Sequence, residues 1–397
     1  MKEQINILFL DHQAQMGGGE FSLMETIKIL NKNIFNPIVM LGTKGPFRNE
    51  LDKIGINTEI INVPEYFRTY KRDPSRGNAF SSLIKSIFIL PDLIKKTEET
   101  IKRNKADIVA INTIKSAFFG IPAAQKTKVK SVWIIRDCLT KDFYRAIFLR
   151  EIKRLAEKVD KIICTSEEVK RHFLNLAGRN SSNKVTIVYN GVDLDRFNPA
   201  LNGEKIREEL LLRDKYVITL IGRLEPWKGQ KVFIRAAKTA LEKRDNLRFF
   251  IVGGALFGRE AYENECLMLV KKLGVEGKVL FLGFRNDVPN VIVASDVIVH
   301  TSILPEPFGR GIIEAMACAK PVISTNIGGP REILTPETGI FIEPNRPDFL
   351  ADEIIKLIDE TDRRLLLGSN ARERVERMFD IRKTTQKLEN IIKEIAQ

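Results

Sequence analysis

Apolar runs of strand length recur along the 397-residue chain, separated by longer segments whose apolar positions repeat at helical spacing. In the first half they fall at 5–10, 37–41, 58–63, 108–111, 132–135, 161–165 and 185–188. In the second half they fall at 217–222, 249–253, 279–282, 297–300, 322–324 and 340–342. Unbroken apolar strands alternating with helices predict parallel sheets covered on both faces. The series restarts near residue 216, after a polar stretch at 198–213 that contains Pro199, Asn202 and Gly203. The pattern therefore predicts an α/β protein of two Rossmann-like domains, 1–198 and 216–378, with a linker at 199–215. A last amphipathic segment, within 379–397, has no strand after it and is expected to pack back towards the first domain. In two-domain folds of this kind a cleft between the domains is the default ligand site.

Composition narrows the class without naming a function. The apolar fraction of 44% and charged fraction of 29% are ordinary for a globular chain and exclude a disordered, collagen-like or disulfide-stapled one. Cys138, Cys164, Cys266 and Cys318 form no C-x-x-C pair, which leaves neither a zinc nor a redox motif and reads as buried thiols in a reducing compartment. No stretch approaches the ~18–20 apolar residues of a spanning helix. The first residues become charged too soon for a signal peptide, so a cytoplasmic protein is expected. The net charge of +13 is uneven: residues 1–200 carry 33 Lys and Arg against 22 Asp and Glu, a net of +11. A basic first half suits an anionic partner.

Three stretches carry candidate chemistry. The first strand runs into Met16-Gly17-Gly18-Gly19-Glu20, where a glycine cluster between strand and helix lets amides approach an anion. A tight turn that binds nothing fits the same residues, and neither G-x-G-x-x-G nor a P-loop is present. The strand at 217–222 ends in Gly222-Arg223-Leu224-Glu225-Pro226-Trp227-Lys228-Gly229. A guanidinium and an ammonium at the carboxyl edge of a parallel strand can neutralise a diphosphate without a metal. The third stretch, after the strand at 297–300, carries Glu306 in a proline-flanked loop and Glu314 inside a mainly apolar helix. An unpaired carboxylate there is costly, so a hydroxyl partner is expected for Glu314. A glycosidase acid–base pair is rejected, because eight helical residues span ~12 Å and exceed the ~5–9.5 Å that chemistry requires.

With these residues on the page, the chain resembles the family-4 glycosyltransferases, retaining enzymes of the GT-B fold. The resemblance rests on EPFGRGIIEAMACAKPVIST, IGRLEPWKGQ, MGGGE and YNGVDLDRFNP, and spans nearly the whole chain. It implies two Rossmann-like domains facing each other across a deep cleft, and transfer of a sugar from a nucleotide-diphosphate donor to a hydroxyl acceptor. It also implies roles by position. Glu306 would face the donor sugar's hydroxyls, with backbone groups of Phe308 and Gly309 beside it and Arg310 next in the same motif. Glu314 would bind the ribose, Arg223 and Lys228 the diphosphate, and Gly18 and Gly19 the phosphates. The loop holding Phe284 would border the base. Arg136 stands where many relatives carry a sugar-contacting histidine, and Ala319 stands where glycine is usual, a difference read as packing.

No Asp-x-Asp-like clamp lies near the cleft motifs around Arg223–Lys228 and Glu306–Glu314, so no metal cofactor is expected. His12 and His300 end strands and read first as structural hydrogen-bonders, and His172 as a surface residue. Two basic amphipathic segments, 83–105 and 141–159, suit an anionic leaflet, each basic residue contributing on the order of 1 kcal/mol. In the second segment the apolar stripe is Phe143, Ile147, Phe148, Ile152, Leu155 and Val159. Any helix covering a Rossmann sheet has such a stripe too. Nucleic acid is not expected as a partner, for want of a reading motif. The leading reading is a transferase of cell-surface polysaccharide or glycolipid assembly, with a lipid-linked acceptor suited to the basic half. A nucleotide-sugar 2-epimerase and a degenerate nucleotide-binding partner subunit are the alternatives.

Overall fold

Each apolar run forms a parallel strand in the computed structural model, which describes residues 4–68, 79–141, 144–255 and 258–397, without the side chains of 79–84, 86–87 and 179–180. The first sheet comprises β1 (Ile5–Asp11), β2 (Phe35–Leu41), β3 (Asn57–Ile60), β4 (Ile108–Ile111), β5 (Lys130–Ile135), β6 (Lys161–Cys164) and β7 (Val185–Ile187), in the order β3-β2-β1-β4-β5-β6-β7. The second comprises β8 (Tyr216–Ile221), β9 (Leu247–Val252), β10 (Val279–Gly283), β11 (Val297–His300), β12 (Val322–Thr325) and β13 (Ile340–Ile342), in the order β10-β9-β8-β11-β12-β13. Both orders reverse direction beside their first strand, at β1/β4 and at β8/β11. Ligands of open α/β sheets bind outside the carboxyl ends of the strands at such a switch point.

Burial on both faces explains the unbroken apolar runs. Ile7, Leu8, Phe9 and Leu10 are successive residues of β1 and none is exposed. Leu8 and Leu10 join the core beneath the helices Ile114–Thr127 and Ala146–Lys158. Ile7 and Phe9 face the opposite core, with Leu23 of the helix Gly18–Ile29 and Leu388 and Ile392 of the last helix, Ile381–Ala396. In the second sheet the Phe233 and Phe249 rings meet edge to face at 5.6 Å inside the main core. All four cysteines are buried, and none is joined in a disulfide.

The chain divides into two units, Met1–Gly191 with Ile381–Gln397, and Val192–Asp380. The change of unit therefore falls after Gly191, earlier than the boundary expected at 198. The segment expected as a linker, 199–215, folds into the second unit. Its helix Glu204–Glu209 buries Ile206, which packs with Leu212, Val217, Phe250 and Val291. A short helix with one buried face has the polar composition of a linker, which is why composition misplaced it. The last helix belongs to the first unit, starting after Asp380 rather than at 379.

Three further expectations change. Ala319 adopts φ +53°, the left-handed region that costs an L-residue on the order of 1–2 kcal/mol. Glycine would be favoured there for its backbone freedom, so the position is conformational rather than a matter of packing. His172 is partly covered and bonds Glu168 through Nε2 at 3.0 Å, instead of lying free at the surface. In the basic stripe, Phe143 lies outside the described residues, while Ile152, Leu155 and Val159 are buried in the core. Phe148 stacks on Tyr144, leaving Ile147 as the outward apolar residue of that helix. Among the described residues no helix is long and apolar enough to cross a membrane.

Candidate active site

The second unit gathers its charged residues at the β8/β11 switch point. After β8 the chain makes a 3₁₀ turn, Pro226–Lys228, and leaves it through Gly229 at φ +74°. A Cβ on Gly229 would lie 2.0 Å from the Thr301 carbonyl oxygen, so only glycine lets the two loops meet. The Thr301 hydroxyl donates to the Lys228 and Gly229 carbonyls at 2.9 and 3.1 Å, and the Ile303 amide donates to the Trp227 carbonyl at 2.7 Å. These bonds fix the Lys228 backbone relative to the loop that carries Glu306.

Glu306 is buried, and three donors converge on its Oε2. Lys228 pairs with it directly, the Ser302 hydroxyl donates at 3.0 Å, and His300 Nε2 stands 3.2 Å away. Burial raises the pKa of such a carboxyl, but here the Lys228 ammonium, reinforced by His300, outweighs it and holds Glu306 well below the usual carboxylate range. The Lys228 ammonium also lies 4.4 Å from the Trp227 ring centroid. From behind, the Gly329 amide donates to the Glu306 carbonyl at 2.8 Å, and a Cβ on Gly328 would come within 2.4 Å of that oxygen.

The other expected residues of this unit lie on its neighbouring loops and helix. Arg223 follows β8 with its guanidinium 3.8 Å from Glu225. Gly309 opens the helix Arg310–Ala317, and Arg310 donates to Glu314 at 3.0 Å, one turn on. The partner of Glu314 is thus a guanidinium, where the sequence led us to expect a hydroxyl, because residues four apart share a helix face. The Phe308 ring is buried edge to face with Phe379 at 5.9 Å, which leaves its backbone to line the loop. Phe284 follows β10 and is 58% exposed, and the neighbouring Arg285 is held by Glu209 and Asp287.

In the first unit the switch point holds a different arrangement. Glu20 folds back at the start of its helix to accept the Gly17 amide at 2.9 Å and the Gln13 side chain at 3.3 Å, closing the glycine turn that presents Gly18 and Gly19. Arg136, leaving β5, donates to Asn112 at 3.1 Å, to Ser22 at 3.0 Å and to Asn190. Asn112 in turn donates to Asp11 at 2.9 Å. A Cβ on Gly19 would touch the Arg136 side chain at 3.4 Å. His12 bonds the Thr113 hydroxyl through Nδ1 at 2.9 Å. Burial pushes the Asp11 carboxyl up to about 7, and burial with the nearby Asp11 charge does the same for Glu20.

The structure thus joins Lys228 to Glu306 and Arg310 to Glu314, sets Arg223 in the loop after β8, and places Gly18, Gly19 and Arg136 in the first unit. Sequence reasoning missed Asp11, Glu20, Asn112 and Asn190. The signal available was positional, since Asp11 ends β1 and Asn112 follows β4 at the switch point. Among the described residues no group of three His, Cys, Asp or Glu side chains is placed to hold a metal ion.

Two parallel α/β units with cationic and carboxylate groups at the switch point suit the binding of a nucleotide-sugar, and comparison with known proteins places the fold in the GT-B class. The model of glycosyl transferases group 1 matches residues 202–374, and that of glycosyltransferase family 4 matches residues 16–196. Between them they take in most of the sequence, and the chain belongs to the family-4 glycosyltransferases. HepE of Anabaena, solved with UDP and glucose, is similar over 98% of this chain and 100% of its own, at 28% identity and a TM-score of 0.84. A glycosyltransferase from Rickettsia africae aligns over 99% of each chain, at 26% identity and a TM-score of 0.78. Escherichia coli UDP-Gal:α-D-GlcNAc-diphosphoundecaprenol α-1,3-galactosyltransferase is 29% identical over 348 residues, 81% of this chain and 84% of its own. The protein is a glycosyltransferase that uses nucleotide-sugar donors.

The raised carboxyls give a pH prediction. Asp11 and Glu20 bind protons more tightly folded than unfolded, so the stability they contribute is full below their ordinary values near 4 and is lost as pH rises towards 7. Glu306 works in the opposite sense, with stability lost only as pH falls below its ordinary value, outside this window. Thermal unfolding of the wild type should therefore move to lower temperature from pH 5 to pH 8, and that of Glu20→Gln should move less. Equal pH slopes would contradict the assignment.

Proposed function

We propose that the chain is a retaining glycosyltransferase that moves a hexose from a UDP-sugar to a hydroxyl of a lipid-linked saccharide acceptor, in cell-surface polysaccharide or glycolipid assembly. The observation that carries this reading is the buried Lys228–Glu306 pair at the switch point, with Arg223 on the same loop as Lys228. Arg223 and Lys228 neutralise the diphosphate and stabilise the charge it gains as leaving group. Glu306 accepts from the donor sugar's hydroxyls, and Glu314, with Arg310, takes the ribose. Phe284 offers an exposed ring face beside the base, with backbone groups of Phe308 and Gly309 along the same loop. In the first unit, Gly18 and Gly19, at a helix N-terminus, suit a phosphate oxygen, and Arg136 offers a cation to a polar group of the donor. The acceptor hydroxyl attacks on the face from which the diphosphate departs, with no protein nucleophile and no metal, since two side-chain cations already carry the neutralisation. The UDP donor is supported by HepE, solved with UDP-glucose, and by the galactosyltransferase that uses UDP-Gal. The lipid-linked acceptor is supported by the latter's diphosphoundecaprenol substrate.

Nucleoside-diphosphate release from UDP-, GDP- and ADP-sugars, in excess chelator and with membrane extract as acceptor source, checks this. One UDP-hexose should turn over, and Glu306→Gln should lower that turnover by on the order of a hundredfold. Turnover of a GDP- or ADP-sugar alone, loss of activity in chelator restored by magnesium, or an unaffected variant would each contradict part of the reading.

We also propose peripheral attachment to an anionic cytoplasmic leaflet. The helices Ala79–Arg103 and Ala146–Lys158 expose Lys85, Arg150, Lys153, Arg154 and Lys158 together with Phe88 and Ile147. With so little outward apolar area the attraction is mainly electrostatic and salt-sensitive. Flotation should show the protein on anionic liposomes at low salt and release at high salt; no retention at low salt would remove the proposal.

A further inference from the structure

The transfer reaction as read above uses Glu306, yet nothing in that reading uses His300. His300 is the last residue of β11, and it lies 7% exposed. Its Nε2 is 3.2 Å from Glu306 Oε2 and 3.3 Å from the Ser302 hydroxyl, and its Nδ1 is 3.4 Å from the hydroxyl of Ser324. Ser324 is the residue paired with His300 across the β11/β12 ladder, so the sheet itself sets the imidazole against that hydroxyl. From the same strand, the Thr325 hydroxyl donates to the Ser302 carbonyl at 2.8 Å and steadies the residue that also donates to Glu306.

A carboxylate in a protein can turn about its last torsion and present either oxygen. Here it cannot do so at equal cost. Lys228, Ser302 and His300 all meet Oε2, and among the described residues no hydrogen-bond donor reaches Oε1. Glu306 is therefore divided into one oxygen that is tied to the protein and one that is left to accept. His300 can donate to Oε2 only when Nε2 carries a proton, and the Ser324 hydroxyl, 3.4 Å from Nδ1, can donate either there or to the Thr325 carbonyl at 3.2 Å.

We propose that His300 is a positioning residue for the transfer, orienting Glu306 so that Oε1 is the oxygen offered to a hydroxyl of the donor sugar. This rests on the reading of Glu306 as a sugar contact. Lys228 alone would not serve, because the same ammonium is needed by the diphosphate; His300 and Ser302 keep Oε2 occupied when Lys228 turns to the phosphates. The residue acts on recognition of the sugar and on the reacting geometry, and leaves recognition of the nucleotide alone.

The test compares the full-length wild type with His300→Leu, His300→Gln and Glu306→Gln. For each, the melting temperature, UDP affinity by calorimetry, affinity for UDP-glucose and UDP-galactose, and turnover of both donors are measured. Gln places an amide N–H near the position of Nε2 and can donate, whereas Leu cannot. The expected result is UDP affinity within about threefold of wild type in both His300 variants. Turnover in His300→Leu should be lower by on the order of tenfold, the usual worth of a hydrogen bond to a charged group, with most of it regained in His300→Gln. The extra affinity of the UDP-sugar over UDP should fall in His300→Leu and return in His300→Gln, a comparison that needs no turnover. The proposal is overturned if His300→Leu keeps both turnover and that extra affinity, if UDP affinity falls as far as turnover does, or if Gln is no better than Leu. If Glu306→Gln itself behaves as wild type, the reading of Glu306 fails and this inference with it. If Glu306→Gln is impaired and His300→Leu is not, only the inference fails.

Discussion

A buried carboxylate is among the most costly groups a fold can contain, and Glu306 is tolerated because three donors meet one of its oxygens. Much of the second unit's local architecture can be understood as the means of bringing those donors together. Lys228 arrives from the loop after β8, His300 from the end of β11, and Ser302 from the first turn beyond it. Gly229 and Gly328 allow the backbones to approach closely enough, since a Cβ at either would collide with a carbonyl oxygen. The charge of Glu306 is retained against burial, which makes the site an acceptor that stays ionised at any ordinary pH.

The two units solve the same topological problem with different chemistry. Each is a parallel sheet whose strand order reverses beside its first strand, and each puts polar residues at that point. In the second unit the cations and carboxylates form ion pairs. In the first, Arg136 is tied to Asn112, Ser22 and Asn190, and through Asn112 to Asp11, so that its charge is spread over neutral amides and one buried carboxyl. Arg136 thus has hydrogen-bond partners of its own within the first unit. That network links the ends of β1, β4 and β5 to the residue just before the chain changes unit.

The strands were legible because parallel strands buried on both faces leave continuous apolar runs, and β1, with four successive fully buried residues, shows why. The motifs of the second unit were legible because Arg223, Lys228, Glu306 and Glu314 lie within two short stretches that follow strands. What was not legible depends on long-range contact. The partners of Arg136 lie 24, 54 and 114 residues away in sequence, and no local pattern announces them. The helix Glu204–Glu209 was taken for a linker because its one buried face is defined by Val217, Phe250 and Val291, all outside the segment. The conformation of Ala319 was hidden for a related reason: alanine gives no sign of a left-handed backbone, whereas glycine would have.

In the proposed reaction the diphosphate leaves and the acceptor enters on one face, assisted by Arg223 and Lys228, so the donor's anomeric configuration is kept. The most direct measurement is proton NMR of the purified transfer product, reading the anomeric coupling of the newly attached hexose against that of the α-linked UDP-hexose consumed. The account predicts an α linkage, with the small coupling of an equatorial anomeric proton if the sugar has the gluco or galacto configuration. A β-linked product would show inversion and contradict it.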